Sequence, residues 1–185
     1  AYSGFQHVKR YNIKEDVLDF KSAWTICEDR YALDPDMTPA SRYKELGLYY
    51  KQVKSYLYGI KNVHIIIYDD YKNDFQFEMN KVFDFLEIKK IAINSQEKYM
   101  VGGWQWKDYG IKNIMLQKNM IRSFLKVLIP FKGFRQKIRK IIKNKYTLPS
   151  EDMSNEDRKI MKLFYKEDIR KLSLLLKKNL NYWAE

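Results

Sequence analysis

The chain has 185 residues, of which 16% are aromatic and 31% are charged, and its formal net charge at pH 7 is +12. This composition excludes a disordered chain, and no apolar run approaches the roughly 20 residues that a transmembrane helix needs. The charge is uneven, because segment 109–150 contains eleven Lys or Arg and no Asp or Glu. It predicts an anionic partner, whether a nucleotide, an acidic glycan, a nucleic acid or a membrane surface.

The N-terminal part of the sequence predicts two helices. The first covers residues 1–8, a loop follows at 11–15, and the second covers 15–33. Apolar residues recur in the second helix at spacings of three and four, at Val17, Phe20, Trp24 and Cys27. Cys27 is the single cysteine and lacks a basic neighbour, so we expect a buried structural thiol. A free thiol fits a reducing, cytoplasmic location.

The middle of the sequence predicts part of a parallel sheet. After a proline-containing loop, Ser41 and Glu45 are placed to cap a helix that runs to Tyr58. Val63–Tyr68 is apolar on both faces, which is typical of a central parallel strand, and residues 74–86 form an amphipathic helix after it. One such strand cannot form a sheet alone, so we expect its partner strands to lie upstream of residue 1.

The C-terminal half is predicted to be mostly helical. A loop with a Gly pair and two Trp covers residues 91–110, and basic helices follow at 111–129 and 131–145, separated by Pro130. A last helix, or a pair of helices, begins near Ser154 and ends near Leu180. No repeat or linker is visible, so residues 1–185 are expected to form a single domain. The spacing of His7 and His64 is not that of metal ligands, and no metal site is predicted.

Three segments in this order resemble the C-terminal portion of the sulfotransferase family. They are GLYYKQVKSYL (47–57), NVHIIIYDDYKNDFQFEMNKVFDFLEI (62–88) and DRKIMKLFYKEDIRKLSLLLKKNLNYW (157–183). The resemblance implies an α/β fold, the three-layer fold of P-loop nucleotide kinases. Within these 185 residues it implies mostly α structure with one or two parallel strands. Asp69 and Asp70 match the family's acidic pair, for which we expect a structural role.

The resemblance also implies a nucleotide site at the start of the chain. The stretch AYSGFQH matches the second half of the family pattern R-x-P-x-x-R-A-Y-S, whose serine binds the 3'-phosphate of 3'-phosphoadenosine 5'-phosphosulfate (PAPS). Ser3 falls on that serine. A helix N-terminus suits a phosphate because its N–H groups are unpaired and its dipole is positive. The alternative is that Ser3 only caps the helix.

Two other regions match family positions with weaker motifs. Tyr50 matches a tyrosine near the cofactor adenine, where an aromatic ring can stack on the base; core packing is the alternative. Residues 98–107, KYMVGGWQWK, resemble the loop that closes over the nucleotide, with Lys98, Gly102, Gly103 and Trp104 at matching places. A Gly pair and a lysine suit a phosphate. A surface turn whose tryptophans cover the core is the alternative.

The family's 5'-phosphosulfate loop and catalytic base have no counterpart in this sequence, so catalytic residues are expected upstream of residue 1 and this chain alone is expected to be inactive. The implied activity is transfer of a sulfuryl group from PAPS, with adenosine 3',5'-bisphosphate as product. The acceptor would be a hydroxyl or amine, on a carbohydrate or a small hydroxylated molecule.

Two other functions stay open. One is a basic helical nucleic-acid-binding module, which lacks a recognition motif here and is not expected; the other is a catalytically silent scaffold with the same fold. The basic segment also contains side chains that suit an anionic acceptor, or a helix at a membrane surface through Ile121, Phe124, Leu125 and Leu128. Its cations are Arg122, Lys126, Lys132, Arg135, Lys137, Arg139 and Lys140.

Overall fold

A computed structural model describes residues 1–11, 17, 19–34, 36–93, 102–116 and 131–185. Of Lys132, Arg135 and Arg139 it describes only the backbone. The chain divides into two compact units, Ala1–Tyr49 with Gly102–Glu185, and Tyr50–Val101. Each unit is described by itself, and the single domain expected from the sequence stays a prediction.

The first unit contains most of the helices. They are α1 (Tyr2–Tyr11), α2 (Phe20–Leu33), α6 (Tyr109–Leu116), α7 (Lys132–Tyr146) and α8 (Asn155–Leu176), with short 3-10 turns at Pro39–Ser41, Glu45–Gly47 and Asn181–Trp183. The sequence correctly predicted α1, the C-terminal part of α2, and α7. It also predicted the start of α8, where Ser154 caps the helix: its Oγ accepts from the Asp157 N–H at 3.0 Å and its hydroxyl donates to the Asp157 carboxylate at 2.7 Å. The end of α8 is at Leu176 rather than Leu180, because Lys177 adopts a left-handed conformation at the C-cap.

Aromatic side chains build the core of this unit. The ring of Phe5 on α1 packs edge-on against Phe20 of α2 at 5.6 Å and against Tyr43 at 5.7 Å. Trp24 of α2 makes a similar contact with Tyr165 of α8 at 5.7 Å. Cys27 is buried beside this cluster, as predicted, and its thiol donates to the Trp24 carbonyl. These edge-to-face contacts add to the burial of the rings themselves.

The strands differ from the prediction. A two-stranded antiparallel sheet pairs β1 (Trp104–Trp106) with β2 (Thr147–Pro149). The sequence predicted a loop at β1 and no regular element at β2, which lies between the helices predicted at 131–145 and from Ser154. The three-residue strands are too short for a periodic pattern to reveal. The prediction of one or two parallel strands is therefore wrong for the described residues, whose two strands run antiparallel.

The helix predicted from Ser41 to Tyr58 is shorter than expected. Ser41 is buried and donates its hydroxyl to the Thr38 carbonyl, and Glu45 forms an ion pair with Arg42 instead of the predicted capping pair. Two 3-10 turns, Pro39–Ser41 and Glu45–Gly47, take the place of its first part, and the helix (α3, Tyr49–Gly59) begins after them.

The second unit contains α3 from Tyr50, α4 (Tyr68–Asn73) and α5 (Phe75–Phe85). Residues 63–67 belong to no regular element and no described segment pairs with them, so among the described residues the predicted strand Val63–Tyr68 is not formed. The reason is that a strand is defined by a hydrogen-bonded neighbour, which an apolar pattern cannot supply. Tyr68 instead begins α4, whose first turn holds Asp69 and Asp70 near the positive end of the helix dipole.

Helix α5 confirms the predicted helix at 74–86. Asp74 caps it, since its carboxylate accepts from the Phe77 N–H at 3.0 Å. Gln76 then ties the following chain to the helix: its side chain donates to the Ile91 carbonyl and accepts from the Ile93 N–H. Ile67 and Phe83 are the buried apolar residues of this unit among those described.

Candidate functional site

Ser3 lies exposed in the first turn of α1. The first backbone hydrogen bond of the helix joins the Phe5 N–H to the Ala1 carbonyl at 2.9 Å, so the N–H groups before Phe5 have no acceptor within the helix. Ser3 is inside the helix and not at the cap position. A Cβ added at Gly4 would meet nothing within 4 Å, which shows open space beside this turn. The local chemistry, a hydroxyl beside unpaired N–H groups, suits a phosphate or sulfate oxygen.

A polar row runs along the buried face of α1, at positions four residues apart. Tyr2 donates its hydroxyl to the Glu151 carbonyl at 2.8 Å, and Gln6 donates to the Tyr2 oxygen at 3.0 Å. Burial raises the pKa of Tyr2, which keeps this phenol protonated and able to donate. Arg10 ends the row one turn further along. Spacing of i, i+4 places all these side chains on one helix face.

Arg10 connects α1 to the sheet. Its Nη1 donates to the Trp104 carbonyl at 3.1 Å, and the Trp106 indole donates to the Arg10 carbonyl at 3.0 Å. Arg10 is only 6% exposed. Its guanidinium carbon also lies 5.7 Å from the centre of the Trp104 ring, within cation–π range. The sheet and the C-terminal end of α1 therefore share one polar cluster.

Two glycines precede the sheet at this cluster. Gly102 and Gly103 are exposed, and Gly103 has a φ of +79°, a backbone conformation that side chains other than glycine rarely adopt. The Gly103 carbonyl accepts from the Ser150 N–H at 3.1 Å, which fixes the turn against the end of β2. An added Cβ at Gly102 would lie 3.4 Å from Arg10 Nη2. The Gly pair thus lets the backbone pass close to a buried cation.

Trp104 is the centre of the cluster. Lys143 of α7 places its ammonium 4.3 Å from the ring centre, in addition to the Arg10 guanidinium. The Tyr11 ring meets the indole edge-on at 5.8 Å. Two cations on one half-buried indole make this a positively charged surface.

The structure brings together some of the predicted site residues and not others. Gly102, Gly103 and Trp104 form one cluster, but their neighbour on α1 is Arg10 and not Ser3. Seven residues separate Arg10 from Ser3, which is about 10 Å along a helix axis at 1.5 Å per residue. Tyr50 belongs to the second unit, where its ring lies 5.6 Å from the Lys54 ammonium. Lys98 lies outside the described residues.

The sequence reasoning missed Arg10. A basic residue in the last turn of a helix is usually an exposed complement to the helix dipole, so it attracts no attention. The available signal was the spacing of Tyr2, Gln6 and Arg10, which puts the arginine on the same face as buried polar residues. Only the position of β1 shows that this face is covered.

The remaining sequence predictions concern isolated residues. His7 is exposed and its ring lies 4.9 Å from Tyr11, while half-buried His64 lies 5.3 Å from Phe85 with its Nε2 unpaired. Among the residues that the structure describes, no group of His, Cys, Asp or Glu could hold a metal ion. None of the described helices is long and apolar enough to cross a membrane.

Part of the basic segment can be placed. Lys137 and Lys140 are exposed on α7. Arg122, Lys126 and the predicted membrane-surface residues 121–128 lie outside the described part of the chain, as do the side chains of Lys132, Arg135 and Arg139.

Comparisons with known proteins identify the fold. No protein-family model and no curated protein matches the chain. Among solved structures, the chain is similar to a sulfotransferase from Alicyclobacillus acidocaldarius, with a TM-score of 0.60 and 18% sequence identity. The similarity covers 100% of this chain and 52% of that one, so the chain spans about half the length of its structural relative. The structure therefore resembles part of a sulfotransferase fold.

Proposed function

We propose that the chain is the C-terminal part of a PAPS-dependent sulfotransferase, which transfers a sulfuryl group to a hydroxyl or amine acceptor. The proposal is supported by two independent lines. The ordered motifs of the sequence resemble this family, and the backbone resembles about half of a sulfotransferase over its whole length. We propose a carbohydrate or a small hydroxylated molecule as the acceptor.

The observation that carries the proposal is the setting of Ser3. Its hydroxyl is exposed in the first turn of α1, beside open space at Gly4. In the proposed complex this turn holds the 3'-phosphate of the nucleotide through the hydroxyl and the first backbone N–H groups. The nucleotide carries the sulfuryl group, and the protein part described here binds and orients it.

Of the other predicted residues, Gly102 and Trp104 lie beside Arg10 in the structure, and we assign them and Gly103 no contact with the 3'-phosphate. Tyr50 and Lys98 stay predictions from the family resemblance. Transfer also requires a base that accepts the proton of the acceptor hydroxyl. No residue of this chain is assigned to that role, so we propose that the base and the 5'-phosphosulfate loop belong to a part of the protein that precedes these residues.

Calorimetric titration of the chain with adenosine 3',5'-bisphosphate tests the proposal. The Ser3→Ala variant should bind at least about tenfold more weakly, because a hydrogen bond to a charged group contributes roughly 1.5–3 kcal/mol. Ser55→Ala is the matched control: this serine is also exposed on a helix, and its hydroxyl only donates to the Lys51 carbonyl. It should leave the affinity unchanged.

Three outcomes would contradict the proposal. A folded chain that does not bind the nucleotide would favour a silent scaffold. Equal affinities of the wild type and Ser3→Ala would remove Ser3 from the site. Binding of unrelated nucleic acids, with an affinity that falls steeply with salt, would instead favour the nucleic-acid-binding module.

A further inference from the structure

Among the residues that the structure describes, no acidic side chain pairs with the buried charge of Arg10. The guanidinium has five N–H donors, and among the described residues it makes one hydrogen bond, from Nη1 to the Trp104 carbonyl. Its Nε is buried and has no partner. One turn earlier, Gln6 Oε1 is also buried without a partner. Burying a charge is costly unless it is paired, and the described residues supply no counter-charge to this cluster.

Gly102 leaves room at the guanidinium. A Cβ at this position would lie 3.4 Å from Nη2 and 3.5 Å from Nη1 of Arg10, so that space faces both terminal nitrogens. Gly102 and Gly103 are both exposed. Within the described part of the chain, neither N–H donates to a backbone carbonyl. An anion that approaches over the Gly pair would meet the N–H groups of Gly102 and Gly103 first and the Arg10 guanidinium behind them.

A second cation lies against the same indole ring. Lys143 is exposed and lies 4.3 Å from the centre of the Trp104 ring, which Arg10 also contacts. Two positive groups around one indole repel each other, and the repulsion is relieved by an anion. Planar, bidentate donors such as the arginine fork match carboxylate and sulfate oxygens.

We propose that Arg10, Gly102, Gly103 and Lys143 form a second oxyanion site, which binds a sulfate or carboxylate group carried by the acceptor. The site is separate from the proposed phosphate position at Ser3, because seven residues of helix, about 10 Å along the axis, lie between Ser3 and Arg10. It accounts for the missing counter-charge of Arg10. It also gives part of the acid-free segment 109–150 a role, since Lys143 belongs to that segment.

Titration of the full chain with sodium sulfate tests the site, at constant ionic strength maintained with sodium chloride. Nuclear magnetic resonance follows the Gly102 and Gly103 amides and the Arg10 Nε–H. We expect saturable shifts of these signals with sulfate and not with chloride. Gly102→Ala should weaken sulfate binding at least about tenfold, because the methyl group fills the space before the guanidinium while meeting it at ordinary contact distance.

Two further variants keep the test specific. Gly59→Ala is the control glycine, because its added Cβ meets nothing within 4 Å, and it should bind sulfate as the wild type does. Arg10→Lys retains the charge but loses the fork, and should weaken binding without abolishing the fold. Thermal melting of each variant confirms that the comparison is between folded proteins.

The result that would overturn the site is equal sulfate affinity of the wild type and Gly102→Ala, or shifts that chloride reproduces.

The titration is repeated with saturating adenosine 3',5'-bisphosphate to identify the source of the anion. Retained sulfate binding supports an acceptor group at a second site. Loss of sulfate binding would assign the same residues to a nucleotide phosphate and overturn the separate site. The sulfate titration does not depend on Ser3, so its failure is distinguishable from failure of nucleotide binding.

Discussion

Replacing Gly47 by alanine should destabilise the first unit severely. Gly47 ends the 3-10 turn Glu45–Gly47, and its backbone lies directly against Tyr165 of α8. A Cβ added there would lie 2.7 Å from Tyr165 Cε1, and even closer to other atoms of the phenol. That separation is well inside van der Waals contact, so either the turn or the ring must move.

The ring is not free to move. Tyr165 is 8% exposed, and its single hydroxyl proton is shared between the carbonyls of Tyr43 and Lys44, whose oxygens lie 2.9 and 3.1 Å from the phenol oxygen. Overpacking a core typically costs about 1–3 kcal/mol, and loss of this shared hydrogen bond adds about 0.5–1.5 kcal/mol. We therefore expect Gly47→Ala to lower the free energy of unfolding by about 2–4 kcal/mol, a large share of a typical domain stability of roughly 5–15 kcal/mol.

Urea denaturation monitored by fluorescence measures this change as a lower midpoint with an unchanged m-value. Gly133→Ala is the control, because an added Cβ there meets nothing within 4 Å, and it should have no destabilising effect. In a Tyr165→Leu background the Gly47→Ala substitution should cost at least about 1 kcal/mol less, since the obstructing ring is gone. A Gly47→Ala variant within about 0.5 kcal/mol of the wild type would refute the reasoning.

Three other predictions follow from single contacts. Burial raises the pKa of the Tyr165 phenol above its ordinary value. The protonated phenol therefore stabilises the fold below about pH 10, and this stabilisation is lost as the pH rises further. In urea titrations at increasing pH, the free energy of unfolding of Tyr165→Phe should fall less than that of the wild type. A bidentate hydrogen bond from Arg170 lowers the pKa of Glu167 to about 2, and a carboxyl resonance titration should show this value return to the ordinary range in Arg170→Gln. Asp74→Ala removes the cap that accepts from the Phe77 N–H and should lower the stability of the second unit by about 1 kcal/mol, measured by hydrogen exchange in α5.

The sequence determined the local elements whose signals lie within a few residues of each other. The helix over Phe75–Phe85 follows from its apolar spacing and from Asp74 at its cap, and the start of α8 follows from Ser154 and Asp157. Burial of Cys27 could be predicted because its neighbours repeat at helical intervals. The ordered motifs also indicated a sulfotransferase-like fold, which agrees with the structural comparison.

Tertiary structure decided the features that depend on residues far apart in the chain. The apolar run 63–67 has the composition of a strand but no described hydrogen-bonded neighbour, whereas Trp104–Trp106 becomes a strand because Thr147–Pro149 lies beside it. Arg10 is a buried cation only because β1 covers that face of α1. Local periodicity reports which face of an element is apolar, but it does not report what packs on that face, since contacts across 40 to 120 residues of chain leave no local pattern.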